Sequence, residues 1–157
     1  MDRLWAPWRM NYISKKAGKK CIFCVGKKTV DARDKKRYIL KRTKHSFSIL
    51  NLYPYNNAHV MVAPFRHVKS LEFLTGRELA DLMNLVNHTK KKIDREFKPE
   101  GFNIGINIGR VAGAGFPGHV HVHIVPRWKG DTNFMPVTAD TKMISWSLDA
   151  VWKLLKD

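Results

Sequence analysis

Alternation of apolar and polar positions predicts five β-strands along the chain. Three apolar stretches, 38–43, 45–51 and 59–63, have the composition and length of strands. In 102–108, phenylalanine and isoleucine alternate with asparagine and glycine, which indicates a half-buried strand. The last alternation covers 119–125, where valine or isoleucine takes every second position and Pro126 is expected to end the strand.

A long helix is predicted between the third and fourth strands, over 75–97. Thr75 and Glu78 form a capping-box pattern, and Pro99 lies just past the expected end. A terminal helix is predicted from Asp140 onward, because apolar residues there recur at helical spacing. One long helix inserted among successive strands favours an α+β fold with an antiparallel sheet of about five strands and a C-terminal helix.

The composition fits one compact domain. The chain has 157 residues, of which 44% are hydrophobic, and no apolar run reaches the eighteen residues of a membrane span. The start lacks the pattern of a signal peptide, so a cytoplasmic protein without a membrane partner is the simplest interpretation. We expect a single domain over 1–157, with a loop-like N-terminal extension (1–36), a core (37–128) and a C-terminal tail and helix (129–157).

The charge balance favours anionic partners. Twenty-nine Lys and Arg residues against thirteen Asp and Glu give a net charge of +16. A field of this sign attracts nucleic acids, nucleotides and acidic membranes alike. The lysines are scattered along the sequence, which is more typical of a solvated surface than of one nucleic-acid groove. Nucleic acid is therefore a possible partner that the pattern does not favour.

Three histidines share one face of the last strand. Side chains alternate faces along a strand, so His119, His121 and His123 lie together while the intervening valines enter the core. The outer two are roughly 13 Å apart at about 3.3 Å per residue, too far for one metal ion to bind all three. A solvated face and a metal site built from two of them remain alternatives. A row of nucleophile and helper groups along a substrate explains the pattern best.

Cys21 and Cys24 are the only cysteines, and their spacing fits a metal knuckle or a redox pair better than a disulfide framework. In a reducing compartment, with no βαβ pattern nearby, this spacing favours metal. A closed tetrahedral site needs two further ligands. No signal for an organic cofactor is present.

The run from His119 to Trp128 resembles the signature of the histidine triad superfamily, and the resemblance covers nearly the whole chain. Asn51, eight residues before His59, matches a further pair of that family. Trp5-Ala6-Pro7-Trp8-Arg9, the Cys-x-x-Cys and the segment 130–134 are similar to a bacterial and archaeal branch. Some members of that branch are diadenosine tetraphosphate phosphorylases. The resemblance implies the histidine triad fold and a homodimer.

The resemblance also implies roles. His121 is the nucleophile that forms a nucleotidyl-histidine intermediate, and His123 and His59 contact phosphate oxygens and the leaving group. Neutral imidazole suits nucleophilic attack near pH 7. Nucleotide binding is expected at Asn51, which contacts ribose, and at a further set of residues that also includes the two triad histidines: Phe47, Leu50, Asn107, Gly113, Ala114, Gly115, His121 and His123.

Zinc-bearing members of the superfamily suggest the two missing ligands. By that resemblance, His67 and His119 complete a structural zinc site with Cys21 and Cys24, and His45 is the substitute for His67. His119 then serves the metal rather than the reaction. The metal would tie the N-terminal loop to the catalytic strand.

The loop before the triad departs from the family. Many members place a glutamine, serine or threonine where this chain has Ala114 and Gly115. Phosphate contacts from this loop are therefore expected from the main chain. The sequence favours a nucleotide hydrolase or dinucleoside polyphosphate phosphorylase, phosphorolysis slightly ahead. Hydrolysis of adenylates or phosphoramidates, a metal-dependent enzyme, and a basic binding module with little turnover remain open.

Overall fold

A computed structural model of the chain describes residues 21–28, 31–133 and 144–157. Its strands are β1 (Ile39–Arg42), β2 (Ser46–Leu50), β3 (Val60–Pro64), β4 (Gly101–Ile106) and β5 (Val122–Arg127). Its helices are α1 (Asp31–Arg37), α2 (Gly76–Phe97) and α3 (Leu148–Leu155), and a short 3-10 turn covers Leu71–Phe73. Trp5, Trp8, Phe134 and the first residues of the predicted terminal helix, 140–143, lie outside the described residues.

The five strands form one antiparallel sheet in the order β1-β2-β3-β5-β4. Strand β5 therefore lies between β3 and β4, and it pairs with β3 through Val62↔Val122 and Met61↔His123. The predicted α+β fold with an antiparallel sheet is confirmed. This order brings the triad next to β3 and to the loop that precedes it.

Helix α2 covers one face of the sheet. Thr75 caps its first turn, and the reciprocal capping box with Glu78 that the sequence predicts is present. Its apolar stripe, which includes Leu82 and Ile93, packs on the valines of β3 and β5. Apolar side chains of α3 belong to the same core cluster. Lys98 ends the helix in a left-handed conformation just before Pro99.

A second apolar cluster lies on the opposite face of the sheet. Phe23 and Val25 of the N-terminal segment pack there against Phe47, Ile49 and other side chains of β1, β2 and β3. Phe23 is 1% exposed. The Cys-x-x-Cys segment is thus anchored by burial of the apolar residues inside and beside it, on the face that carries the histidines.

Two expectations about local structure are wrong. The segment 31–36 is not a loop, because it belongs to α1. Two hydrogen bonds from the Arg42 guanidinium to the Asp34 carboxylate connect α1 to β1. Pro126 does not end β5, which continues to Arg127. The pairing of β5 with β3 stops at Ile124, so the missing N–H of Pro126 breaks no ladder bond, and its carbonyl accepts a hydrogen bond from Asn56 instead.

Among the residues that the structure describes, no helix combines the length and apolar character that crossing a bilayer requires.

Candidate active site and metal-ligand cluster

The triad lies at the start of β5, and two of its members precede the regular strand. His119 and His121 come just before Val122, whereas His123 is inside β5 and pairs with Met61. The alternation still holds, because Val120, Val122 and Ile124 enter the core under α2. His119 and His121 are buried, and the rings of His121 and His123 meet edge to face at 4.9 Å between centroids.

The proton position on His121 follows from its hydrogen bond. Its Nδ1 lies 2.8 Å from the carbonyl oxygen of His119, and a carbonyl only accepts, so Nδ1 carries the proton. The lone pair of the neutral ring is therefore on Nε2. Burial lowers the pKa of His121, which keeps the ring neutral to lower pH than an exposed histidine. The residue has the protonation state that a nucleophile needs.

Phe23 fixes the plane of the same ring. It stacks on His121 with ring centroids 4.5 Å apart and an interplanar angle of 26°. Phe116 meets Phe23 edge to face from the loop before the triad. The imidazole of His121 is thus held by a hydrogen bond at Nδ1 and by an aromatic ring on one side.

His59 and His123 form a direct pair. His59 Nε2 lies 3.0 Å from His123 Nδ1. The backbone N–H of Tyr55 donates to His59 Nδ1 at 3.1 Å, so Nδ1 holds the lone pair and Nε2 holds the proton. His59 then donates to Nδ1 of His123, and the neutral His123 carries its proton on Nε2. His121 and His123 therefore present opposite groups at Nε2: a lone pair on His121 and a proton on His123.

Asn51 supports this arrangement from the end of β2. Its Oδ1 accepts a hydrogen bond from the backbone N–H of Tyr53, which orients the amide so that Nδ2 donates to His59 Nδ1 at 3.3 Å. The structure thus brings Asn51 and His59 together, as their shared place in the predicted site requires.

The four predicted metal ligands also meet. The ligand atoms of Cys21, Cys24, His67 and His119 all lie within 4.8 Å of one another. Cys21 Sγ is 3.5 Å and Cys24 Sγ is 4.0 Å from His119 Nδ1, and Cys24 Sγ is 3.3 Å from His67 Nδ1. His45, the substitute ligand, is not part of this cluster.

These atoms fit a tetrahedral metal. In such a site a thiolate sulfur at about 2.3 Å and an imidazole nitrogen at about 2.05 Å from the ion are separated by about 3.5 Å. The observed separations of 3.3–4.0 Å bracket this value. His119 Nε2 donates to the carbonyl of Pro64 at 2.9 Å, which leaves the lone pair on Nδ1, facing the sulfurs. Burial lowers the pKa of His119 to about 4, so the ring is neutral, as a ligand must be.

Two apolar residues expected to bind the nucleotide, Phe47 and Leu50, lie on opposite faces of the sheet. Phe47 lies on the histidine face, fully buried and stacked on Phe65 at 5.4 Å. Leu50 packs in the core on the other face, under α2. The structure therefore does not bring Leu50 to the triad.

The glycine-rich loop connects β4 to the triad. Gly109 and Gly113 have φ of 86° and 88°, a conformation that glycine adopts without strain. The backbone N–H groups of Gly113 and Ala114 donate to Arg110 and Gly109 within the loop. Ala114 is buried, Gly115 is exposed, and a Cβ at Gly113 would lie 3.7 Å from the side-chain nitrogen of Asn107.

Sequence reasoning missed Phe23, Tyr55 and Asn56. Phe23 lies between Cys21 and Cys24. Because a metal was expected to tie this segment to the strand of the triad, the sequence already indicated that Phe23 would lie near the triad. Tyr55 stacks on His59 at 4.8 Å, and Asn56 is buried. Both belong to the turn between Asn51 and His59, in which no site residue was expected.

Comparison with known proteins agrees with this geometry. The HIT domain family matches residues 32–130. The AP-4-A phosphorylase of Mycobacterium tuberculosis (strain CDC 1551 / Oshkosh) is 37% identical over 161 residues, which cover 99% of this chain and 83% of that protein. The asymmetrical bis(5'-nucleosyl)-tetraphosphatase of Schizosaccharomyces pombe is 44% identical over 93 residues, 59% of this chain and 50% of that protein.

A solved structure shows the same fold. The zinc-bound histidine triad family protein of Mycobacterium smegmatis superposes with a TM-score of 0.65 at 21% identity, covering 87% of this chain and 91% of that one. Sequence match, fold and the paired histidines lead to one assignment: the chain belongs to the HIT, or histidine triad, family.

Proposed function

We propose that the protein cleaves dinucleoside polyphosphates, such as diadenosine tetraphosphate, by transferring a nucleotidyl group to His121. The observation that carries the proposal is the hydrogen bond from His121 Nδ1 to the His119 carbonyl, which places the lone pair on Nε2. The activities in the names of the Mycobacterium tuberculosis and Schizosaccharomyces pombe relatives support the substrate class. Asn51, Asn107 and the backbone N–H of Gly115 are the proposed contacts to ribose and phosphate, because the N–H groups of Gly113 and Ala114 donate within the loop.

The first step forms a bond and breaks one at the same phosphorus. Nε2 of His121 attacks the α-phosphorus, and the bond from that phosphorus to the bridging oxygen breaks. The ring then carries a positive charge that it shares with Nδ1–H, and the His119 carbonyl stabilises this charge. His123 donates a hydrogen bond from Nε2–H to the departing oxygen, which leaves as a phosphate anion, and the hydrogen bond from His59 keeps the His123 proton on Nε2.

The second step transfers the nucleotidyl group from His121 to an acceptor. An oxygen of inorganic phosphate attacks the α-phosphorus and the N–P bond breaks, which frees His121 and gives a nucleoside diphosphate. Water as acceptor gives the monophosphate instead. We favour phosphate, because the relative that spans nearly the whole chain is named a phosphorylase.

Turnover of diadenosine tetraphosphate with and without inorganic phosphate tests this proposal. ADP with ATP as products indicates phosphorolysis, and AMP with ATP indicates hydrolysis. The variant His121→Asn keeps a polar side chain but loses the nucleophile, so kcat is expected to fall by roughly a thousandfold or more while the substrate still binds. Turnover that survives in His121→Asn would exclude the assignment.

We further propose that Cys21, Cys24, His67 and His119 hold a structural zinc ion. The Cys₂His₂ donor set and the spacing of the ligand atoms support zinc. When bound, the ion would supply a crosslink between the N-terminal segment and β5 rather than chemistry at phosphorus. The nucleophile benefits indirectly, since Phe23 lies between the two cysteines and stacks on His121.

The protein is proposed to act as a cytoplasmic homodimer. The two cysteines form no disulfide, which suits a reducing compartment. Strand β4 lies at an edge of the sheet with Ile104 45% exposed, and such an edge can pair with a second copy. Sedimentation equilibrium of the intact chain measures this assembly, and a mass of one chain would exclude it.

A further inference from the structure

We propose that Asn56 and Asp131 are positioning residues that fix where the proton lies in the His59–His123 pair. This inference rests on the proposed function, in which His123 donates a hydrogen bond to the leaving group. They act through the backbone N–H of Tyr55, which makes the shorter of the two hydrogen bonds to His59 Nδ1, 3.1 Å against 3.3 Å from Asn51 Nδ2.

Three hydrogen bonds hold the side chain of Asn56 in place. It is 4% exposed, and its Nδ2 donates to the carbonyl of Pro126 at 3.0 Å and to Asp131 Oδ2 at 2.8 Å. Its Oδ1 accepts from the backbone N–H of Asn57 at 3.2 Å. The side chain therefore ties the turn between β2 and β3 to the far end of β5.

Asp131 is anchored in turn. Its carboxylate accepts two hydrogen bonds from Arg127, at 2.6 and 3.0 Å, and one from the backbone N–H of Trp128 at 3.2 Å. The Asp131 side chain is only 6% exposed. A carboxylate fixed by a guanidinium and a backbone amide is a rigid acceptor for Asn56.

The turn needs this tie, because its own backbone is strained. Ala58 has φ of 55°, in the left-handed region that is unfavourable for a residue with a side chain. In the same turn, the backbone nitrogen of Tyr55 must stay 3.1 Å from His59 Nδ1 so that it can donate its hydrogen bond. Asn56 follows Tyr55 directly and connects this strained turn to β5.

Loss of the hydrogen bond from the Tyr55 N–H would favour the opposite tautomers of His59 and His123. A neutral imidazole carries its proton on either nitrogen, and the partner of one nitrogen decides which. Without the Tyr55 N–H, only the longer contact from Asn51 Nδ2, at 3.3 Å, opposes a proton on His59 Nδ1. In the tautomer with that proton, His59 turns a lone pair toward His123, whose own proton then lies on Nδ1, so that Nε2 no longer donates a hydrogen bond to the departing oxygen.

The test combines tautomer and rate measurements on Asn56→Ala, with Asn103→Ala as the matched control. Asn103 is an exposed amide that accepts from Arg127 in the same cluster, without touching Asn56. Long-range ¹⁵N–¹H NMR spectra of the parent are expected to show Nε2 protonated in both His59 and His123. Asn56→Ala should show a mixture of tautomers, and kcat for diadenosine tetraphosphate should fall roughly tenfold to a hundredfold, with KM within a factor of about two.

Asp131→Asn is the milder second variant, because it keeps the shape of the side chain and an acceptor for Asn56. It should shift the tautomers and kcat in the same direction by a smaller factor. Unchanged tautomers in folded Asn56→Ala, or changed tautomers with unchanged kcat, would overturn the proposal. The tautomers are measured without turnover, so failure of the proposed function, which His121→Asn reports, is distinguished from failure of this inference.

Discussion

His119 makes three separate contacts that link two parts of the site. Its Nε2–H donates to Pro64, its Nδ1 faces the cysteine sulfurs, and its backbone carbonyl accepts the Nδ1–H of His121. The side chain serves the ligand cluster, while the main chain serves the nucleophile. One residue thus couples the geometry of the proposed metal site to the tautomer of the proposed nucleophile.

Replacing one cysteine should release the proposed zinc ion. Cys24→Ser replaces a thiolate with a weak ligand, so bound zinc is expected to fall from about one ion per chain to far less. Elemental analysis of the purified protein measures this directly. His45→Gln is the control, because His45 lies outside the cluster, and its zinc content should match the parent. Full zinc occupancy in Cys24→Ser would show that the ion binds elsewhere.

At this scale the sequence predicts the ligating atoms better than their surroundings. Cys21, Cys24, His67 and His119 follow from spacing and family resemblance, and the structure brings them together. Phe23 on His121 and Tyr55 on His59 could not be predicted, because such ring contacts depend on how distant segments pack. Leu50 shows the same limit: its position in β2 places it on the core face.

At the level of elements, the first turn of α2 combines local and tertiary contacts. Glu78 closes the capping box with Thr75 and also accepts a hydrogen bond from Arg66, which follows β3. Hydrogen bonds from the Thr75 backbone, and then from its hydroxyl and from Arg66, lower the pKa of Glu78 despite its burial. The helix that covers the core therefore begins on a carboxylate stabilised in its charged form.

The charge of Glu78 should contribute to stability only above acidic pH. Its pKa is depressed in the folded protein, so the stabilisation is full above its ordinary value of 4.5 and is lost as pH falls through the folded value. Glu78→Gln is expected to lower the free energy of unfolding at pH 7 by about 1 kcal/mol. Urea denaturation at several pH values should show the difference closing below pH 4.5.

Lys90→Gln provides the comparison on the same helix. Lys90 pairs with Asp94 at the surface, where ion pairs contribute little. This variant should stay close to the parent throughout the pH range. A Glu78→Gln deficit that persists undiminished at pH 3 would show that shape, not charge, accounts for the effect.

Elements with a strong periodic signal could be predicted, and those defined by tertiary pairing could not. Helix α2 begins and ends within a residue of the prediction, because its capping box and Pro99 are local signals. Helix α1 has no apolar stripe and depends on the Asp34–Arg42 contact. The passage of β5 through Pro126 depends on where β3 stops pairing, which the sequence of β5 does not contain.

For the whole molecule, the order β1-β2-β3-β5-β4 concentrates the site at one place. It puts the turn before β3, the start of β5 and the N-terminal segment side by side on the face opposite α2. The scaffold and the site are therefore built on different faces of one sheet. The sequence predicts this division through the strand alternation, although the strand order itself required the structure.

Contact of the cysteine segment with the triad has a consequence for folding. Cys21 and His119 are 98 residues apart, whereas the capping box of α2 joins residues only three apart. Closing a long loop costs chain entropy before its contacts form, so distant pairs tend to assemble late. After dilution from urea, helical circular dichroism should return first, and turnover of diadenosine tetraphosphate should lag behind it. Simultaneous recovery would mean that the segment from Cys21 to Cys24 docks during the first folding step, as part of the folding nucleus.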